Sequence, residues 1–188
     1  EDLCNDWLKI TNNWDNNCKI SIPRLILYNK SDDIKYFLIC FVDASKDAYA
    51  ATVYLKSVNS YCSQVNLVFS KSRLAPLKSI TLTLLELLAL FIGHKILCFV
   101  EKELSLKIEK KFMFSDSEIV LNWIKTNKPL EVFVENRLKN IRLSEIEFRH
   151  IFSEENPADI ATRGMSVSDL QLSNIWWNGP KWLSNHLK

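Results

Sequence analysis

Apolar residues along this chain fall into short runs whose spacing switches between strand and helix periods. "KYFLICFVDAS" (35–45) is continuously apolar until it ends at a charge, which predicts a strand buried on both faces. After the turn "SKD", the β-branched and aromatic "AYAATVYLKS" (48–57) predicts a second strand. "SQVNLVFSKS" (63–72) places Val65, Leu67 and Phe69 on one face and predicts a third. A long apolar helix is expected from about residue 79 to 100. "KKFMFSDS" (110–117) reads as a fourth strand, followed by helices over 117–126 and 130–143. "EIEFRHIF" (145–152) alternates, with Ile146, Phe148 and His150 on one face, as a fifth strand should. "NPADIATRG" then predicts a short final helix, with Pro157 at its first turn and Gly164 at its end.

The resulting order, β-β-β-α-β-α-β-α, predicts an α/β fold. Three antiparallel strands should be followed by two that return through helical crossovers, parallel to the first, in one five-stranded mixed sheet flanked by helices. Such a sheet opens a crevice at the carboxyl ends of its parallel strands. Three regions are expected: an Asn-rich arm with Trp7 and Trp14 over 1–34, the main domain over 35–165, and an aromatic, loop-like tail over 166–188. The arm is read as a short helix or irregular segment followed by an extended stretch, "ISIPRLILY".

Composition narrows the classes. At 188 residues with 47% hydrophobic and 24% charged positions, the chain suits one compact domain with an extension. A net charge of +2 and a pI near 8.3 permit a nucleic-acid partner without implying one. The five cysteines show no C-x-x-C and no histidine at zinc spacing, so reduced thiols without zinc are expected. Thr83, Glu86 and His94-Lys95 interrupt the longest apolar stretch, which argues against a membrane span. With no signal peptide visible, an intracellular protein is expected, and the opening "EDLCNDW" reads as an excerpt from a longer chain.

The chemistry lies in the acids. Asp43 ends the first strand and Asp116 the fourth, so adjacent parallel strands would bring both to the same edge. Glu86 sits within "LTLLELLALFIG", where an isolated buried charge costs several kcal/mol unless neutralised, paired or metal-bound. Asp159 lies near the start of the final helix. Singly, each acid has an ordinary structural role: a turn former or cap for Asp43 and Asp116, dipole complementation for Asp159, an ion pair for Glu86. Gathered together they would repel one another unless a cation is present. An oxygen-only donor set selects Mg²⁺ or Mn²⁺, and two such ions are the arrangement that cleaves phosphodiesters. Convergence of the carboxylates within a few ångströms is therefore expected of a nuclease or polynucleotidyl transferase.

"FVDASKDAYAATVYL", "SKSRLAPLKSITLTLLELLAL", "FSDSEIVLNWI", "FRHIFSEENPADIATRG" and "WWNGPKWL" together resemble the RNase H region of BEL/Pao-type LTR-retrotransposon polyproteins, over about 22–183. The resemblance implies an RNase H-like fold and hydrolysis of the RNA strand of an RNA–DNA hybrid during reverse transcription. It implies Asp43, Glu86, Asp116 and Asp159 as ligands of two Mg²⁺ or Mn²⁺ ions, with His150 assisting product release. It further implies reverse-transcriptase and integrase domains in the same polyprotein, and a cytoplasmic or virus-like-particle setting. Lys71, Arg73 and Lys78 are candidate phosphate contacts, and Asn156 a candidate nucleic-acid contact near the site. The chain departs from the family at Ala50, where Gly is usual, at Thr83-Leu84, and at Phe152-Ser153-Glu154. An alternative is an inactive module of the same fold that binds nucleic acid or docks a polymerase domain.

Overall fold

The computed structural model describes residues 2–12, 20–22, 33–78 and 80–185. Trp14 and most of the extended stretch expected over 20–28 lie outside them. The elements run α1 (Asp2–Asn12), β1 (Lys35–Ala44), β2 (Ala48–Val58), β3 (Ser63–Leu74), α2 (Leu82–Leu104), β4 (Ile108–Ser115), α3 (Glu118–Lys125), α4 (Val132–Arg142), β5 (Ile146–His150), α5 (Ala158–Arg163), α6 (Val167–Leu172) and α7 (Asn174–Asn178). The strands form one sheet in the order β3-β2-β1-β4-β5. β1, β2 and β3 are antiparallel neighbours, while β4 pairs parallel to β1 and β5 parallel to β4. This is the mixed sheet that the sequence order predicts.

The continuous apolar run of β1 has a direct cause, since both of its faces are covered. Leu38, Cys40 and Val42 join the core beneath α2 to α4, with Leu87, Leu90, Leu97, Met113 and Leu138. Ile39 and Phe41 face the opposite way, into a smaller core with Tyr54, Phe112, Phe114, Ala158 and Leu183. Helix α2 is capped by Thr81, whose hydroxyl accepts the Leu84 N–H. It lies tightly on β1 because residue 93 has no side chain. A Cβ there would stand 2.5 Å from Val42 Cγ1 and 3.2 Å from Cys40 Sγ. By length and composition α2 is apolar enough to cross a membrane, yet half of its most apolar window is buried inside the fold, as befits a core helix.

The tail requires correction. The segment read as loop-like carries α6, α7 and a 3-10 turn at Lys181–Ser184. Ser166, Ser173, Gly179 and Pro180 cut it into pieces too short to show a helical period, and its aromatic residues serve packing. Trp182 packs on Phe114 and Phe41, with ring centroids 5.3 and 6.3 Å apart. The Tyr54 hydroxyl donates to the Trp176 carbonyl at 2.8 Å. Lys56, buried, donates through Nζ to the Leu183 carbonyl at 2.7 Å and also to that of Asn185. Burial holds this amine below the usual lysine range.

Candidate active site

Strand register does the first part of the assembly. Val42 pairs with Ser115 across the parallel β1–β4 ladder, so Asp43 and Asp116 leave neighbouring strands at the same edge. Adjacent strands lie about 4.8 Å apart, which fixes the spacing of the two backbones. Side chains alternate along β1, so Val42 enters the core under α2 and Asp43 turns to the opposite face. There it receives a hydrogen bond from the Thr162 hydroxyl on α5.

Helix α5 is stitched to the sheet. Asn156 donates through Nδ2 to the Val42 carbonyl at 2.9 Å and accepts the Ala158 N–H at 3.1 Å. Ser72 donates to the Ala161 carbonyl at 2.8 Å and Ser45 to the Thr162 carbonyl at 3.3 Å. Gly164, at φ 81°, ends the helix in a conformation that suits glycine. Asp159 thereby stands on the Asp43 side of the sheet edge, bonded to Arg163 Nε at 2.6 Å one turn along. Glu86 approaches from the other face on α2, where it accepts the Ser117 hydroxyl at 2.5 Å. Ser117 also caps α3 by accepting the Val120 N–H. Asp116 accepts the Ser153 hydroxyl at 2.5 Å.

Electrostatically the four acids form a chain with Asp116 as its shared member. The Asp43 carboxyl is pushed up to about 6, first by burial and then by repulsion from Asp116 and Asp159, with Thr162 and Arg163 opposing. Glu86 is also raised, by burial and by Asp116, against the Ser117 hydrogen bond. The convergence expected from the sequence is not reached. Among the described residues, no three Asp, Glu, His or Cys side chains are gathered closely enough to hold a metal ion. Each of three acids is held by a hydroxyl: Ser117 bonds Glu86, Thr162 bonds Asp43 and Ser153 bonds Asp116. The donor chemistry nonetheless fits a hard cation: the four acids and their partners Ser117, Ser153 and Thr162 offer carboxylate and hydroxyl oxygens, and the basic side chain acting on Asp43, Arg163, is largely exposed.

The remaining candidates separate by position. β3 runs parallel to β1, so Lys71 and Arg73 near its carboxyl end, and Lys78 beyond it, are exposed on the site's side of the sheet. His150 ends β5 beside Ser115, exposed and edge-on to Phe152 with ring centroids 5.6 Å apart. Asn156 is corrected. At 2% exposure, with both ends of its amide engaged, it has no face left for a nucleic-acid strand and ties α5 to β1 instead. Four residues of the site escaped the sequence reading: Ser117, Ser153, Thr162 and Arg163. Ser117 is a helix N-cap ahead of Glu118, and Arg163 stands four residues after Asp159, so both had local signals. The Ser153 and Thr162 bonds span 37 and 119 positions and had none.

An RNase H-like fold is the class that this sheet order and edge of acids define. The sequence matches the family described as Pao retrotransposon-like RNaseH-like domain over residues 1–117, and the chain belongs to that family. No curated protein matches it. Solved structures similar to it include RNase H1 from Halobacterium salinarum NRC-1, at 12% identity and a TM-score of 0.45, over 71% of this chain and 98% of that one. LC11-RNase H1 in complex with RNA/DNA hybrid aligns at 18% identity and a TM-score of 0.44, over 72% and 99%. The foamy viral protease-reverse transcriptase in complex with double-stranded DNA aligns at 16% identity and 0.39, over 62% of this chain and 21% of that one.

Proposed function

We propose that this domain is a divalent-metal-dependent ribonuclease H, hydrolysing the RNA strand of an RNA–DNA hybrid during reverse transcription of a Pao-type retrotransposon. The observation that carries the reading is the edge of acids. Four carboxylates, from β1, α2, the end of β4 and α5, lie along the edge where the parallel strands terminate; Asp116 and Asp159 raise the charge cost at Asp43, and Asp116 also raises it at Glu86. Asp43, Glu86, Asp116 and Asp159 would hold two Mg²⁺ or Mn²⁺ ions. When bound, such ions supply charge stabilisation for in-line displacement at phosphorus.

The chain's own residues position the rest. Lys71, Arg73 and Lys78 extend the site along the sheet edge as contacts for backbone phosphate, which recognise shape rather than sequence. His150, exposed at the end of β5 and paired with Ser115, assists product release. In its natural setting the domain works beside reverse-transcriptase and integrase domains of one polyprotein. Incubation with end-labelled RNA–DNA hybrid and Mg²⁺ tests the reading. Cleavage of the RNA strand, stopped by EDTA and absent on duplex DNA, is expected. An intact hybrid, or cutting of the DNA strand, overturns it.

A further inference from the structure

The hydroxyl of Thr162 joins one acid of the site to the backbone of the helix turn that carries another. It donates to the Asp43 carboxylate, and the same oxygen lies 3.0 Å from the Asp159 carbonyl. Thr162 is 7% exposed, and its own carbonyl accepts the Ser45 hydroxyl at 3.3 Å, so the residue is fixed from both sides. Asp43 belongs to β1 and Asp159 to α5. Side-chain bonds from Asn156, Ser72, Ser45 and Thr162 tie α5 and the residues before it to the sheet and its loop. Of these, the Thr162 bond alone ends on an acid of the site.

We infer that Thr162 is a positioning residue: its hydroxyl orients the Asp43 carboxylate and sets its separation from Asp159, and so tunes the affinity of the edge for divalent cations. This rests on the proposed metal-dependent reading of the site. A carboxylate that binds a cation works best when its second oxygen is already held, because the rotamer is then fixed before the ion arrives. Loss of such supporting bonds costs about 10- to 100-fold in metal affinity. A threonine serves here where alanine would not, since Asp43 is buried and, among the described residues, no other side chain donates a hydrogen bond to it. The bond spans 119 positions, so the helix that carries Asp159 and the strand that carries Asp43 are locked by a contact that only the folded chain forms.

The test is titration of Mn²⁺ into the purified chain, following free Mn²⁺ by its electron spin resonance signal. Four proteins are compared: wild type, Thr162→Val, Thr162→Ser and Asp43→Asn. Thr162→Val keeps the volume and loses the hydroxyl, and is expected to weaken Mn²⁺ binding about tenfold or more. Thr162→Ser restores the donor and is expected to lie within about twofold of wild type. Thr162→Ala carries the same comparison if the valine variant does not fold by circular dichroism. The inference is overturned if Thr162→Val titrates like wild type while Asp43→Asn loses binding. It is equally overturned if Thr162→Ser is as weak as Thr162→Val, which would assign the effect to packing of the methyl group. If wild type binds no Mn²⁺, the metal reading of the site falls and the inference falls with it.

Discussion

Asp43→Asn should make the metal-free protein more stable, and by an amount that depends on pH. Burial and the neighbouring Asp116 and Asp159 carry the Asp43 carboxyl from 3.8 to about 6 in the folded chain. The folded-state value lies above the unfolded one, so between about pH 4 and 6 the folded chain holds a proton that the unfolded chain has released. Stability therefore falls as pH rises through that window. At neutral pH the ionised group costs the fold about 3 kcal/mol, at about 1.4 kcal/mol per pH unit. Asparagine removes the charge while keeping an oxygen to accept the Thr162 hydroxyl. In EDTA at pH 7.5 the variant is expected to melt about 6–12 °C above wild type, the range for a domain of this size. At pH 4 the two melts should nearly coincide. Saturating Mg²⁺ should raise the wild type toward the variant, since a bound cation compensates the charge. A variant no more stable than wild type at pH 7.5, or a gap that does not close in acid, would refute the electrostatic account of the site.

Two other outcomes follow from the same geometry. Gly93→Ala drives a methyl group to within 2.5 Å of Val42 Cγ1, so α2 must lift from β1 and carry Glu86 with it. Overpacking of about 1–3 kcal/mol should outweigh the helix-propensity gain of about 1 kcal/mol. Urea melts check this, and a variant as stable as wild type would show that the approach is not tight. Replacing Lys71, Arg73 and Lys78 together by alanine should weaken hybrid binding without divalent metal. The slope of log affinity against log salt should flatten by about 2–3, roughly one phosphate contact per cation. An unchanged slope would place the backbone contacts elsewhere.

The sheet was readable because period-2 alternation and doubly apolar runs report burial directly. β1 reads as continuous because Leu38, Cys40 and Val42 serve one core while Ile39 and Phe41 serve the other. The placement of Asp43 beside Asp116 followed from chain order alone, since a helical crossover makes β4 parallel to β1. What stayed hidden was of two kinds. The tail's helices are five or six residues long, shorter than the window in which a helical period shows; α7 is held by Tyr54 and the 3-10 turn after it by Lys56, both on a distant strand. Thr162 and Ser153 act across the fold, and side-chain bonds of such span leave no mark on local sequence. Asn156 was found for the wrong reason. Its place beside the acids was legible, but its full burial was not.

The central claim is that the carboxylate shared by both sides of the edge serves phosphodiester hydrolysis. Cleavage of an RNA–DNA hybrid in Mg²⁺ by wild type and by Asp116→Asn tests it most directly. The account predicts that wild type cuts the RNA strand and that Asp116→Asn, folded as judged by its melt, does not. Equal cleavage by the two proteins, or none by either, would contradict it.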